Sequence, residues 1–159
     1  MTEWTGPLGR ATRQYLESTS KSKDLYDRAV NSLPGGNSRT TIFYQPHPFY
    51  AARGEGCYIY DLDGNRRIDF INNYTSLILG HAHPKVVEAV TEQVRLGTSF
   101  SAPTELEVRE AEALKERLPS IDLLRFTNSG TEATLMAIRA ARASTRRDKI
   151  AKFEGGYHG

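Results

Sequence analysis

The sequence Phe126-Thr-Asn-Ser-Gly-Thr-Glu-Ala133 has the residue types of a phosphate site. It falls where a short apolar run gives way to a helical pattern, and free backbone N–H groups at a helix start attract anions. Gly130 would let a phosphate approach the main chain, and Ser129 and Thr131 would add hydroxyl donors. The same residues have a second interpretation, because Ser129 and Glu132 have the spacing of a capping box, which needs no ligand. Both interpretations stay open on this segment alone.

The last five residues, Gly155-Gly-Tyr-His-Gly159, combine an aromatic ring, an imidazole and glycines. They follow a second apolar run, so in an open α/β sheet they would lie at the carboxyl edge, where such sheets bind ligands. A ring at Tyr157 or His158 would there be able to stack on a planar cofactor. A glycine-rich turn with an incidental tyrosine is the alternative.

Arg39 follows Pro34-Gly-Gly-Asn-Ser38 on a segment rich in aromatic residues. A guanidinium in that position would be able to hold a substrate carboxylate in a bidentate ion pair. A solvated surface arginine is the alternative.

Two motifs suggest a metal ion, and we predict that neither binds one. His81 and His83 lack a third ligand at a recognisable spacing, and Pro84 is typical of a helix start. The loop at 61–65 has the acidic residues of a calcium loop, but its glycine comes two places early and its twelfth position is Asn72.

Composition limits the class of protein. The chain has 159 residues, the length of one ordinary domain, and 38% of them are hydrophobic, which excludes a disordered tail. The net charge of +2 argues against a dedicated nucleic-acid arm or a polybasic membrane patch. A single cysteine, Cys57, cannot form an internal disulfide. No stretch is apolar enough to span a bilayer and no secretory signal is visible, so we expect a cytoplasmic protein.

The elements that must position these motifs follow from hydrophobic periodicity and from turn residues. We predict a helical segment over 5–32, an extended aromatic arm over 38–50, and a meander of three strands at 51–55, 58–61 and 67–70. Three helices are predicted at 84–96, 104–118 and 130–145. Strands at 123–127 and 149–153 flank the last helix. This order is typical of a βαβ unit, which implies a parallel sheet with a right-handed crossover.

Taken together and in this order, the motifs identify a family. They are Leu-Pro-Gly-Gly-Asn-Ser-Arg at 33–39, Tyr-Ile-Tyr-Asp-Leu-Asp-Gly-Asn at 58–65, Leu-Ile-Leu-Gly-His-Ala-His-Pro at 77–84, Leu-Arg-Phe-Thr-Asn-Ser-Gly-Thr-Glu-Ala at 124–133 and Lys-Phe-Glu-Gly-Gly-Tyr-His-Gly at 152–159. The chain resembles the N-terminal part of class III, fold-type I aminotransferases that depend on pyridoxal 5'-phosphate. Within this family it looks closest to the branch of glutamate-1-semialdehyde aminomutase and the β-amino-acid aminotransferases.

The resemblance implies roles for the cofactor residues. Ser129, Gly130 and Thr131 match the cup that holds the phosphate of pyridoxal phosphate. Tyr157 matches the aromatic residue that stacks on the pyridine ring, and His158 lies beside it.

The resemblance also places Arg39 where this branch often binds the substrate carboxylate. Two features depart from the aminomutase pattern: Asn73-Tyr-Thr75 replaces its usual Ser-Trp-Gly, and Arg39 follows Ser38 without an intervening Pro-Val. Both departures favour a β-amino-acid aminotransferase over the aminomutase.

The implied architecture is an α/β fold with three parts. They are an N-terminal helical segment with the aromatic arm at 1–50, a small antiparallel meander at 51–83, and the incomplete start of the large cofactor-binding domain at 84–159. The resemblance implies a homodimer whose substrates are small molecules, an amino acid and an oxo acid.

Family members are more than twice this long, and the lysine that forms their internal aldimine lies beyond residue 159. The chain alone is therefore expected to be inactive, as the N-terminal portion of an enzyme that transfers an amino group between a carboxylate-bearing amino acid and an oxo acid. The alternatives are an aminomutase, which moves the amino group within one molecule, and a truncated, non-catalytic module for cofactor binding or dimerisation.

Overall fold

The computed structural model describes residues 6–156, which divide into two compact units. Unit 1 ends at Thr98, and unit 2 begins at Ser99. The domain boundaries predicted after residues 50 and 83 both fall inside unit 1 and remain predictions.

Unit 1 begins with two helices, α1 (Gly6–Ser18) and α2 (Ser20–Ala29), where the sequence predicted one helical segment. The break is at Thr19, whose backbone is non-helical and whose hydroxyl donates to the Tyr15 carbonyl at 2.6 Å. A threonine that bonds back to a carbonyl four residues earlier competes with the regular helix. Two short 3₁₀ turns follow, Pro34–Gly36 before the aromatic arm and Thr40–Ile42 within it.

The predicted meander is confirmed as a three-stranded antiparallel sheet in the order β1-β2-β3. Its strands are Ala51–Glu55, Tyr58–Asp61 and Arg66–Ile68. The third strand ends two residues earlier than predicted, because the Asp69 carboxylate accepts hydrogen bonds from the backbone N–H groups of Ile71 and Asn72 and turns the chain.

That turn leads into α3 (Asn72–Thr75), a single turn in which all four residues have positive φ, between 46° and 69°. Helix α4 (Pro84–Leu96) follows with the predicted bounds, with proline in its first turn and Gly97 after its end. Unit 2 contains α5 (Glu105–Arg117) and α6 (Gly130–Thr145), also as predicted to within one residue.

The parallel sheet predicted for unit 2 is not formed within the described residues. Segments 123–127 and 149–153 carry no strand assignment and no described hydrogen bond joins them. A strand needs a neighbour to satisfy its backbone groups. Their apolar side chains are open to solvent, with Leu123 91% and Phe153 84% exposed.

Over residues 6–156 no large apolar side chain is fully buried, and the buried side chains with polar groups are Thr12, Thr19, Ser22, His47 and Asp61. The buried side chains with polar groups all lie in unit 1. None of the described helices combines the length and apolar character that crossing a membrane requires.

Candidate functional site

The N-terminus of α6 contains one half of the predicted capping box, the bond between Ser129 and Glu132, whereas the reciprocal bond goes to the residue before the N-cap. Ser129 is the N-cap residue, with extended φ and ψ of −154° and 159°, and its Oγ accepts a hydrogen bond from the Glu132 backbone N–H at 3.2 Å. The Glu132 carboxylate accepts in turn from the Asn128 backbone N–H at 2.6 Å. The box therefore uses the N–H groups of Asn128 and Glu132 only.

The remaining donors at this helix start fit a phosphate. Within residues 6–156, the backbone N–H groups of Gly130 and Thr131 have no described acceptor. A Cβ added at Gly130 would meet nothing within 4 Å, so the main chain is accessible there. The Ser129 hydroxyl uses a lone pair in the capping box and keeps its proton to donate. Capping and anion binding, which the sequence left as alternatives, are compatible at this geometry.

Tyr157 and His158 lie outside the described residues. The stacking role that the resemblance gives to Tyr157, and the place of His158 beside it, remain predictions.

Arg39 lies in unit 1 against the left-handed turn α3. Its guanidinium is 5.6 Å from the centre of the Tyr74 ring, and its Nη1 is 3.5 Å from Asn73 Oδ1. Its backbone N–H donates to Asn37 Oδ1 at 2.9 Å, which fixes the main chain. Among the described residues no carboxylate lies within ion-pair distance of this guanidinium. The cation is therefore available for an anionic ligand.

The two residues that Arg39 contacts, Asn73 and Tyr74, line a cavity of about 500 Å³. Most of the other lining side chains are apolar or aromatic, including Tyr44, Phe49, Tyr50, Ile59, Ile71 and Leu77. The arrangement suits a ligand with an apolar group and one carboxylate.

The backbone of α3 is strained. Left-handed backbone costs about 1–2 kcal/mol per residue outside glycine, and asparagine tolerates it better than tyrosine or threonine. Tyr74 and Thr75 nevertheless have φ values of 56° and 69°. Such strain persists where the surroundings enforce it, often at functional sites. The Asn72-Asn73 pair is the sequence signal for this turn, because asparagine tolerates positive φ better than most residues.

His81 is held in an ion-pair geometry with Asp69, with Nε2 2.8 Å from Oδ2. Burial acts to raise the pKa of Asp69, but hydrogen bonds from Asn72, His81 and Ile71 outweigh it, so this pKa lies below its ordinary value. Both side chains line the cavity beside Arg39.

The loop at 61–65 organises unit 1, a role that sequence reasoning missed. Asp61 accepts from the backbone of Asn65 at 2.8 Å and from Arg67 Nη2 at 2.9 Å. Asp63 caps α2, accepting from the backbone N–H groups of Lys21 and Ser22 at 2.7 and 3.1 Å. These bonds leave the two carboxylates engaged within the protein.

For both carboxyls burial acts to raise the pKa, and hydrogen bonds outweigh it. Bonds from Asn65 and Arg67 lower the pKa of Asp61 below its ordinary value, and bonds from Lys21 and Ser22 do the same for Asp63.

Three known proteins are similar to this chain over most of its length. A curated glutamate-1-semialdehyde 2,1-aminomutase of Methanothermobacter thermautotrophicus is 56% identical over 139 residues, which are 87% of this chain and 33% of that protein. A transaminase solved with pyridoxal phosphate bound is 55% identical, with a TM-score of 0.86 over 89% of this chain and 33% of that one. A β-phenylalanine aminotransferase of Variovorax paradoxus is 44% identical, with a TM-score of 0.90 over 94% of this chain and 35% of that one.

The chain thus spans about a third of the length of the curated relatives that it matches. The structural similarity confirms the predicted fold class, fold-type I. The family model for class-III aminotransferases matches residues 43–159. The chain therefore belongs to the class-III aminotransferase family, whose cofactor is pyridoxal phosphate.

Proposed function

We propose that the full-length protein is an aminotransferase that moves an amino group from a carboxylate-bearing amino acid to an oxo acid. The observation that carries this proposal is the Arg39 guanidinium, which lies beside an apolar cavity and has no carboxylate partner among the described residues. A guanidinium and a carboxylate form a planar, charge-assisted pair, which would fix the orientation of the substrate.

Ser129, Gly130 and Thr131 would hold the cofactor phosphate through two backbone N–H groups and two hydroxyls. The start of α6 favours an anion because the helix dipole adds to these donors. Bound pyridoxal phosphate supplies an electron-withdrawing ring that stabilises negative charge at the substrate carbon. In this proposal Tyr157 stacks on that ring and His158 lies beside it.

The second candidate function is the aminomutase, which the 56% identity to the Methanothermobacter protein favours. Three observations support the aminotransferase instead. Asn73-Tyr-Thr75 departs from the aminomutase pattern, and Arg39 directly follows Ser38. The Variovorax protein, named for a β-amino acid, is similar over nearly the whole chain.

The proposal includes a homodimer in the cytoplasm. Large apolar side chains between residues 70 and 79 are exposed, among them Phe70 at 89% and Ile78 at 88%, and a partner copy would cover them. Cys57 is exposed and free, as is usual in a reducing compartment. Sedimentation and cell fractionation of the full-length protein test these two parts.

An amino-acceptor assay separates the candidate functions. The full-length protein is incubated with a β-amino acid or with glutamate-1-semialdehyde, each with and without an oxo acid. An aminotransferase consumes the β-amino acid only when the acceptor is present. An aminomutase converts the semialdehyde without any acceptor. A full-length protein that binds pyridoxal phosphate but is inactive in all four reactions would support the non-catalytic module.

A further inference from the structure

We propose that Asp69, together with His81, is a positioning residue for the substrate carboxylate. The pair fixes the left-handed turn α3, and α3 in turn holds Asn73 and Tyr74 against Arg39. This inference rests on the proposed function, because it needs Arg39 to bind a carboxylate.

The first step is the contact between Asp69 and the turn. Its Oδ1 accepts from the backbone N–H of Ile71 at 3.0 Å and of Asn72 at 2.8 Å. These are the residues at which the chain leaves the sheet and enters the left-handed backbone. A carboxylate that accepts both N–H groups favours this conformation over an extended one.

The second step is the anchor behind Asp69. Its other oxygen lies 2.8 Å from His81 Nε2, and the backbone of His81 exchanges two hydrogen bonds with Gly56, at 2.8 and 2.9 Å. A Cβ at Gly54 would lie 2.5 Å from the His81 ring, so the imidazole packs directly on β1. The sheet therefore fixes His81, and His81 fixes Asp69.

The third step leads from the turn to Arg39. Tyr74 OH donates to the Thr41 carbonyl at 3.1 Å, which ties α3 to the arm that carries Arg39. Asn73 Oδ1 and the Tyr74 ring are the described neighbours of the guanidinium. If the turn relaxes, both neighbours move and the guanidinium loses its orientation.

Asp69 also lines the cavity, where a free carboxylate would repel an anionic substrate. Its charge is instead engaged by two N–H groups and by the imidazole. The interaction thus engages both oxygens of this carboxylate within the protein and at the same time sets the position of the turn.

The test compares variants of the full-length protein with a β-amino acid and with the amine that lacks its carboxylate. Asp69→Asn should raise KM for the β-amino acid about tenfold, with little change in KM for the amine or in affinity for pyridoxal phosphate. His81→Gln should also raise KM for the β-amino acid and not for the amine, but by a smaller factor. The control Asp27→Ala removes an exposed carboxylate that pairs with Lys23 elsewhere in unit 1, and should change none of these constants.

Two further variants separate positioning from a general loss of structure. Thr75 has a φ of 69°, which glycine adopts without steric cost. Adding Thr75→Gly to Asp69→Asn should therefore lower the raised KM part of the way back. Combining Asp69→Asn with Arg39→Ala should add little to the effect of Arg39→Ala alone, because both act through one contact.

Failure of the inference and failure of the proposed function give different results. If Arg39→Ala raises KM for both donors equally, or for neither, the carboxylate role of Arg39 is wrong and the inference is wrong with it. If Arg39→Ala is selective but Asp69→Asn is not, or if their effects add, only the inference is overturned. An Asp69→Asn protein that does not fold, while His81→Gln folds without selectivity, also overturns it.

Discussion

Unit 1 and unit 2 differ in the side-chain hydrogen bonds that each contains. In unit 1, side-chain hydrogen bonds join residues far apart in the chain: Asp63 with Ser22, Tyr15 with the His47 carbonyl, and Asn65 with the Ser18 carbonyl. In the described part of unit 2, the side-chain bonds join residues no more than six positions apart, as in the Arg142 bond to the Asp148 carbonyl. Local bonds shape individual helices, whereas distant ones fix elements against each other.

The difference shows where each unit obtains its stability. In unit 1 the buried Asp61 carboxylate has its hydrogen-bond partners, Asn65 and Arg67, within the unit. Unit 2 presents Leu123 and Phe153 almost fully exposed and has no paired strand among its described residues. Its relatives are about three times as long as this chain, and we propose that the remainder of the full-length protein covers these apolar side chains.

The largest expected effect is in unit 1. Asp61→Ala removes a carboxylate with no exposed side-chain surface and leaves the backbone N–H of Asn65 and the Arg67 guanidinium without their acceptor. Arg67 keeps 32% of its side chain exposed and stays solvated, so the cost comes mainly from buried N–H donors left without an acceptor, about 1–3 kcal/mol. Urea denaturation of the full-length protein, with hydrogen exchange to locate the change, should show a loss of this size within β2 and α2.

The matched control in unit 2 is Asp148→Ala. This exposed residue contributes only its backbone carbonyl to the Arg142 bond, so the free energy of unfolding should change by less than about 0.5 kcal/mol. If Asp61→Ala and Asp148→Ala changed the free energy of unfolding equally, the contrast between the two units would be wrong.

Acid should weaken the hydrogen bonds that the aspartates of unit 1 accept. The pKa values of Asp61, Asp63 and Asp69 lie below their ordinary value in the folded state. Such groups stabilise the protein above the unfolded-state pKa of about 3.9, and this contribution is lost as pH falls through the folded-state pKa. Hydrogen exchange, corrected for intrinsic rates, should therefore show unit 1 losing protection below about pH 4. Replacing Asp63 with Asn should make the loss in α2 less dependent on pH.

The sequence predicted local elements well because their signals are local. Pro84 and Gly97 mark the ends of α4, and the glycine turns at Gly56 and Gly64 mark the meander. It did not reveal that Asp63 caps a helix 41 positions earlier, because that contact exists only after folding. The strands predicted on both sides of α6 are unpaired for a related reason, since a strand depends on neighbours that periodicity cannot identify.

The candidate site also contains features that the sequence predicted and features that only the folded structure shows. The capping box at Ser129 was readable from residue spacing. Arg39 was singled out by resemblance, but its neighbours Asn73 and Tyr74 depend on a left-handed turn that propensity disfavours.

Arg39→Ala in the full-length protein tests whether unit 1 binds the substrate carboxylate. A charge-assisted pair contributes about 1.5–3 kcal/mol, so KM for a carboxylate-bearing donor should rise roughly tenfold to a hundredfold. Affinity for the cofactor should be unchanged, because residues 129–131 hold the phosphate in this proposal. Arg39→Lys should rescue only in part, since an ammonium cannot make the bidentate contact. Unchanged kinetics for both variants would identify Arg39 as a solvated side chain.

A smaller effect on stability than that of Asp61→Ala is expected at Ser129 in unit 2. Ser129→Ala removes the N-cap acceptor of Glu132, which should cost about 1 kcal/mol. Ser129→Asp keeps a good N-cap residue, so the stability of α6 should be close to that of the unsubstituted protein. If a phosphate binds at this helix start, however, the added carboxylate repels it, and affinity for pyridoxal phosphate should fall much more in Ser129→Asp than in Ser129→Ala. Absorbance titration with the cofactor, beside thermal unfolding of the same variants, measures both quantities. If Ser129 acts only as a helix cap, the order is reversed. Ser129→Ala then has both the lower stability and the lower affinity for pyridoxal phosphate, because only the alanine disturbs the helix.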